Sequence, residues 1–267
     1  MRPWAEIAGG LGRGFFTLIG GLGRMGRFTQ ATLRSMLIEP WRGRTLRWGA
    51  AFEQMVLIGV ASLPIVVTIS FIVGLIIAMQ SAYQLQRFGA VIFVADLVAV
   101  SVTRELAPLM TAILVAGRSG SAIAAEIGSM KVAEELDALN AMALHPIRFL
   151  VVPRTLAMMI VLPCLTVIAD LLGIFGGLVL GVVSLDISWI AYFNQTADAL
   201  LLKDFVSGLI KSFFFAVIIA LVGAFEGFHV AGGAEGVGKA TTTAVVRSIF
   251  LIILADMVFT ALFYSTF

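Results

Sequence analysis

Charge, thiols and imidazoles are scarce in this chain of 267 residues. Asp, Glu, Lys and Arg together make up 13% of it, and there are one cysteine and two histidines; a typical soluble domain is about 25% charged. The single thiol, Cys164, excludes an intrachain disulfide framework and any CxxC metal motif, and within its apolar run it reads as a small packed hydrophobe. His145 and His229 are far apart and neither has a Cys or His neighbour at ligand spacing, so zinc chemistry has no support. No HExxH motif and no Ser/His/Asp grouping is present, which leaves the chain without recognisable catalytic equipment. Two glycine-rich stretches imitate nucleotide motifs and fail on context. Residues 233–242, GAEGVGKATT, place Gly233, Gly238 and Lys239 as in a P-loop. Ala240, however, stands where Mg²⁺ needs a hydroxyl, and the segment reads as a short loop between apolar runs, not a strand-to-helix turn. Gly21, Gly23 and Gly26 match GxGxxG without a βαβ unit around them.

What fills the chain instead is apolar: 60% of its residues are hydrophobic, against roughly 45–50% in soluble domains. A bilayer-spanning helix needs about 20 apolar residues, so the length holds several spans and no additional large soluble domain. The expected fold is an all-α integral membrane protein, with an N-terminal interfacial helix, five transmembrane helices and a cytoplasmic coupling helix between spans two and three. Span one, about 55–80, lies in a charge-free stretch between Glu53 and Arg87, with Pro64 kinking it or marking its true start. Span two, about 91–117, contains Asp96, Arg104, Glu105 and Pro108, so protein must shield it from lipid. Residues 155–185 have Asp170 as their only charge and are too few for two crossings and a turn, which gives one long third span, about 150–183. Span four, about 205–228, has Lys211 near one end, placed to snorkel, and span five, about 248–267, contains Asp256.

Arg42, Arg44 and Arg47 precede span one; Arg118, Lys131 and Arg148 lie between spans two and three; Lys239 and Arg247 lie between four and five. The opposite side has Arg87 and Lys203, so the N-terminus is expected in the cytoplasm and the C-terminus outside. The arm over residues 1–50 lacks a signal-peptide cleavage pattern. At 100° per residue Phe15, Leu18, Ile19, Leu22, Leu33, Met36 and Leu37 gather opposite Arg13, Arg24, Arg27 and Arg34. That pattern suits a helix lying along an anionic leaflet, while glycines at 20, 21, 23 and 26 suit a flexible arm.

Lys131 to Ala143 reads as one amphipathic helix, with Val132, Leu136, Leu139 and Ala143 on one face and Lys131, Glu134 and Asp137 on the other. Two readings stand: docking in a groove of a soluble partner, or packing within the subunit. Gly117, Gly120, Ser121, Ala124, Ala125 and Gly128, and the GxxxG steps at Gly173, Gly177 and Gly181, let helices approach closely. Residues 186–203, with Trp189, Tyr192 and Phe193, read as an amphipathic outer element with interfacial aromatics. Arg104 and Glu105, adjacent and therefore about 100° apart on a helix, do not pair simply with each other; each needs a wet cavity or a partner such as Asp96, Asp170 or Asp256.

RELAP at 104–108, AGRSGSAIAAEIGSMKVAEELDAL at 116–139, HPIRFLVVPR at 145–154 and GGAEGVGKATTTAVV at 232–246 resemble the signature blocks of MlaE-type permeases, in order, over residues 50–267. The resemblance implies a permease domain at 51–267 that forms a homodimer in the bacterial inner membrane. It also implies two cytoplasmic ABC ATPases, which bind the ATP and Mg²⁺ that this chain does not, a small STAS-domain protein, and a periplasmic MCE-domain hexamer. The cargo implied is phospholipid, moved between inner and outer membranes to maintain outer-membrane lipid asymmetry; nucleic acid has no part. On this pattern Ile72, Leu75, Ile76, Met79, Tyr83, Leu85 and Phe88 line a lipid pocket, or face lipid and core in the ordinary way. Arg104 and Glu105 sit at its floor near the dimer axis, and Lys131, Val132, Glu135, Leu136, Leu139 and Ala143 couple to the ATPase. His145, where the family pattern has an acidic residue before the proline, and Asn140, also in place of an acid, make the docking surface less acidic. The rival readings are a stand-alone secondary carrier using Asp96, Asp170 and Asp256, and a membrane scaffold that recruits soluble proteins.

Overall fold

The computed structural model describes residues 20, 23–37 and 47–266, and the described residues contain helices and no strand. A first helix, α1, covers residues 23–37. α2 is Trp48–Leu85. Span two follows as a nearly continuous rod: α3 (Val94–Ser101), a π-helical turn (Val102–Leu106), α4 (Ala107–Val115), a second π turn (Ala116–Gly120) and α5 (Ser121–Val132). Short α6 (Glu135–Ala141) leads through a third π turn (Ile147–Val151) into α7 (Val152–Leu185), then α8 (Trp189–Ala199), α9 (Leu202–Phe228) and α10 (Gly233–Thr266). Among the described residues five stretches are long and apolar enough to cross a membrane: Trp48–Phe88, Val91–Val132, Ile147–Leu185, Leu202–Phe228 and Gly233–Phe263.

Local chemistry explains the irregularities. Pro108 has no N–H to close an α turn, and ahead of it the ladder widens so that Ala107 donates to the Val102 carbonyl, five residues back. Pro153 is preceded in the same way, with Val152 donating to Ile147. Pro64 does not mark the start of the span: α2 continues through it, sixteen residues beyond its start, and Thr68 Oγ1 donates to the Pro64 carbonyl at 2.9 Å. The last helix begins at Gly233, well before residue 248, so the P-loop-like segment is not a loop but the opening turns of a helix, where Lys239 pairs with Glu235 at 2.7 Å.

Helix packing runs through small residues. A Cβ at Gly74 would run into the Gly173 backbone, and one at Gly176 into the backbone of Phe71 and Leu75, so α2 and α7 lie backbone to backbone. Gly177 and Gly181 receive Tyr192 of α8, whose ring would be 2.7 Å from a Cβ at 181, and Tyr192 is fully buried. Trp189, Ile190 and Phe193 remain exposed on the other face of α8. One apolar cluster joins α2, α4, α5, α7, α9 and α10; a second, toward the Leu85 end of α2, joins Val66, Ala78, Val94, Val98, Val102 and Ala169.

α1 forms despite Gly23 and Gly26 because it has something to pack on. Phe28 sits 5.7 Å and 5.6 Å from the Phe225 and Phe228 rings, Thr32 and Met36 are buried, Leu33 is half-buried, and Arg24, Arg27, Arg34 and Leu37 are exposed. Arg13, Phe15, Leu18, Ile19 and Leu22 lie outside the described residues.

Two expectations are corrected. Residues 131–143 are not one helix: α5 ends at Val132, Glu134 adopts φ 59°, and α6 restarts at Glu135. The break rotates the second segment, so Leu136 and Leu139 turn into the inner cluster while Val132 points outward; burying a Leu is worth about 1.5–3 kcal/mol. Cys164 is exposed beside Pro163 and is not packed inward.

Candidate functional site

The polar residues of the spans converge where α9 crosses span two. Asp204, in the first turn of α9, accepts from the Leu201 N–H at 3.2 Å and turns its other oxygen to Arg104 Nε, 3.6 Å away. One turn further, Gly208 lies so close that a Cβ would strike the Thr103 carbonyl and sit 3.2 Å from Pro108 Cγ. That close approach brings Lys211 onto the first π turn. Its ammonium donates to Glu105 Oε2 at 2.5 Å and to Thr260 Oγ1 at 2.8 Å, and it lies 2.9 Å from Asp256 Oδ1. Thr260 in turn donates to Glu105 Oε1 at 3.0 Å. The three oxygen atoms around the ammonium therefore come from two other helices, two of them as hydrogen-bond acceptors and the third as an ion pair.

Lys211 does not snorkel. It is 1% exposed, because three oxygen atoms on span two and α10 are within reach and leaving them would strand two carboxylates among apolar helices. The two ends of the cluster differ in access. Lys211 and Asp204 are enclosed, whereas the side chains of Glu105 and Arg104 are 36% and 37% exposed and Thr260 is exposed. Two cations and three carboxylates thus form a partly open charged face flanked by apolar Met257 and Val258.

The adjacent pair Arg104 and Glu105 separates as their 100° offset requires, one to α9 and the other to Lys211. Of the three aspartates offered as partners, Asp256 joins the cluster. Asp96 accepts from Gln195 Nε2 at 3.0 Å, and Asp170, buried on α7, has an oxygen without a hydrogen-bond partner among the described residues. Lys211, Asp204 and Thr260 were not singled out as site residues from sequence. A lysine in an apolar span was the available signal.

The apolar pocket candidates do not form one enclosure within a single chain. Ile72, Ile76, Met79 and Tyr83 form an exposed stripe along α2, and Leu75 is half-buried toward Gly176. Leu85 and Phe88 line a groove of about 340 Å³ with Gln80, Gln84, Leu97 and Ser101. Arg104 opens the next turn of span two after Ser101, so groove and charged face adjoin. Arg87 donates to the Tyr83 hydroxyl at 2.6 Å and lies over its ring. Of the coupling candidates Val132, Glu135 and Ala143 are exposed, Lys131 is half-buried and 3.3 Å from Asp137, and Leu136 and Leu139 are buried. At the same end of the bundle Arg154 donates to Glu126 at 2.5 Å, Arg247 pairs with Glu226, and Arg47 lies 3.8 Å over the Phe149 ring.

Five apolar helices, three of which share a charged cluster, define a polytopic helical membrane protein with a polar site among its spans. The chain belongs to the MlaE permease family, whose model, described as Permease MlaE, matches residues 51–262. It is 38% identical over 260 residues to a "Probable ABC transporter permease protein" of Rickettsia bellii, covering 97% of this chain and 98% of that one. It is 36% identical over 217 residues to the "Intermembrane phospholipid transport system permease protein MlaE" of Haemophilus influenzae, covering 80% and 82%. A chloroplastic protein of Arabidopsis thaliana, "TRIGALACTOSYLDIACYLGLYCEROL 1", is 35% identical over 220 residues, covering 82% of this chain and 63% of its own.

Proposed function

We propose that this chain is the membrane-spanning permease of an ATP-driven transporter that moves phospholipids between inner and outer membranes and so maintains outer-membrane lipid asymmetry. The partly open charged face made by Arg104, Glu105, Lys211, Asp256 and Thr260 carries the reading. A charge facing lipid near mid-bilayer costs roughly 2.5–3.5 kcal/mol on insertion scales, so the open side of this face calls for a polar ligand, water or a second subunit. A homodimer meets that need: two such faces across an axis enclose a polar floor, with the α2 stripe and the Leu85–Phe88 groove offering apolar walls for acyl chains. Phospholipid, charged at one end and apolar at the other, matches both parts. The relative from Haemophilus, named for intermembrane phospholipid transport, supports this cargo.

In this reading the chain sits in the inner membrane with its N-terminus in the cytoplasm and its C-terminus in the periplasm. Residues 1–50 form an arm and 51–267 the permease domain, a division supported by the start of the family match at residue 51. Arg24, Arg27 and Arg34 of α1 face the anionic cytoplasmic leaflet. ATP and Mg²⁺ are bound by two partner ABC ATPases, a STAS-domain protein accompanies them, and an MCE-domain hexamer receives or delivers lipid on the periplasmic side. The ATPases engage the exposed surface of Val132, Glu135, Ala143 and their neighbours, while Leu136 and Leu139, seated in the permease core, pass the force to α5 and α9.

The test is reconstitution of the complex in liposomes loaded with a fluorescent phospholipid. ATP-dependent transfer that falls roughly tenfold in Glu105→Gln while the complex still assembles supports the reading. Full transfer by that variant, or retained lipid without any ATP-dependent movement, overturns it.

A further inference from the structure

Span two has a second arginine in a π turn, and its surroundings differ from those of the first. Arg104, Arg154 and Arg247 each face a carboxylate, from Asp204, Glu126 and Glu226. Arg118, in the turn Ala116–Gly120, is exposed, and among the described residues its only polar partner is the neutral Ser62 Oγ, at 3.3 Å. It borders a cleft of about 80 Å³ between α2 and α5, lined by Gln54, Leu57, Ile58, Ser119 and Ile123. Glu126, the one carboxylate on the cleft wall, is held by Arg154 at 2.5 Å.

Depth and chemistry narrow the ligand. Arg118 follows Arg104 by fourteen positions, roughly 20 Å along a helix. In the proposed orientation that spacing, set against a hydrocarbon layer roughly 30 Å thick, puts Arg118 well toward the cytoplasmic side of Arg104. A guanidinium presents a planar fork of donors that matches phosphate oxygens, and one neutral acceptor leaves most of that fork without a partner among the described residues. The cleft holds roughly two to three water volumes, room for a phosphate but not for acyl chains. Just outside it the α2 flank is apolar and open, with Leu57 62% and Val60 67% exposed.

We infer that Arg118, with Gln54 on the wall of the cleft, binds the phosphate of a phospholipid in the cytoplasmic leaflet, with the acyl chains lying along Leu57 and Val60. This inference rests on the phospholipid-permease reading and its orientation, and adds to it a second headgroup site on the cytoplasmic side of the Arg104 cluster.

The intact complex, delipidated in mild detergent, is titrated with phosphatidylglycerol, with diacylglycerol and with inorganic phosphate, and retained lipid is counted by native mass spectrometry. The wild type is expected to keep one more phosphatidylglycerol per permease chain than Arg118→Gln. Affinity for that lipid falls roughly tenfold in Arg118→Gln and less in Arg118→Lys, which keeps the charge. Diacylglycerol does not fill the site and inorganic phosphate does not empty it. Equal retention by wild type and Arg118→Gln, with retention lowered by Glu105→Gln, overturns this inference and leaves the permease reading standing. A wild type that neither retains nor transfers phospholipid overturns both. Competition by diacylglycerol removes the phosphate from the argument, and displacement by inorganic phosphate makes this a soluble-anion site. If Arg118→Gln does not assemble, Arg118→Lys decides: retention equal to wild type with full exchange by diacylglycerol overturns the assignment.

Discussion

Two seams hold this bundle together, and they use opposite chemistry. Along the α2–α7 seam Gly74 meets Gly173 and Gly176 meets Phe71, backbone against backbone. Along the seam of span two with α9 and α10, Lys211 is enclosed by Glu105, Asp256 and Thr260. Lipid tails are as apolar as Leu, so helices in a bilayer gain little from burying apolar surface against one another. Close packing of small residues and polar bonding are what remain to join them. The first seam uses packing and is fitted too tightly to admit a ligand. The second uses charge, and its partly exposed Glu105 and Arg104 leave it chemically available. One seam is scaffold; the other combines scaffold and site.

The sharpest way to break this contrast is Lys211→Met. It removes the cation between Glu105 and Asp256 and is expected to destabilise the fold by about 3–5 kcal/mol, read as loss of monodisperse protein in detergent and a lowered melting temperature. Replacing the whole polar set, with Glu105→Gln, Lys211→Met and Asp256→Asn together, should recover most of that stability, because no buried charge is then left unpaired. The same triple variant should remain inactive in lipid transfer; an active one would show that the second seam is scaffold alone. Gly176→Leu comes next. Its side chain would have to enter the Phe71 backbone, with an expected loss of about 3 kcal/mol or more, and no second substitution in the polar seam should rescue it. Glu105→Gln is milder: the amide still accepts from Lys211, so folding is retained while phospholipid transfer falls roughly tenfold. The smallest effect falls outside both seams. Ala143 has φ 59°, a left-handed backbone that costs a residue with a side chain roughly 1–2 kcal/mol, so Ala143→Gly should raise the melting temperature slightly.

The number of the spans was legible because a crossing leaves a long signature: some 20 apolar residues, repeated five times, survive any uncertainty about neighbours, whereas a helix start such as Gly233 leaves no such mark. The cluster was legible only in pieces. Arg104, Glu105 and Asp256 stand out as charges in apolar runs, but which of them meet depends on the register between helices. Glycine positions such as 208 set that register, and a sequence does not state it. Lys211 illustrates the limit: a lysine near a span end has both a route to water and a route to a carboxylate, and the crossing point of α9 on span two decides between them. The break between α5 and α6 was hidden for a related reason. KVAEELDAL has helical propensity throughout, and its left-handed Glu134 answers to the core that Leu136 and Leu139 enter.

The wide turns of span two have a mechanical meaning. A π turn is an α-helix holding one surplus residue, so the rod from Val94 to Val132 stores two residues more than a uniform helix of the same span would need. Passing a surplus residue along the rod re-aims the side chains it crosses by about 100° and leaves both ends anchored. Arg104, Glu105 and Arg118 all stand inside those turns. The surplus residues therefore sit where the rod carries its charged side chains, at its crossings with α9 and α2.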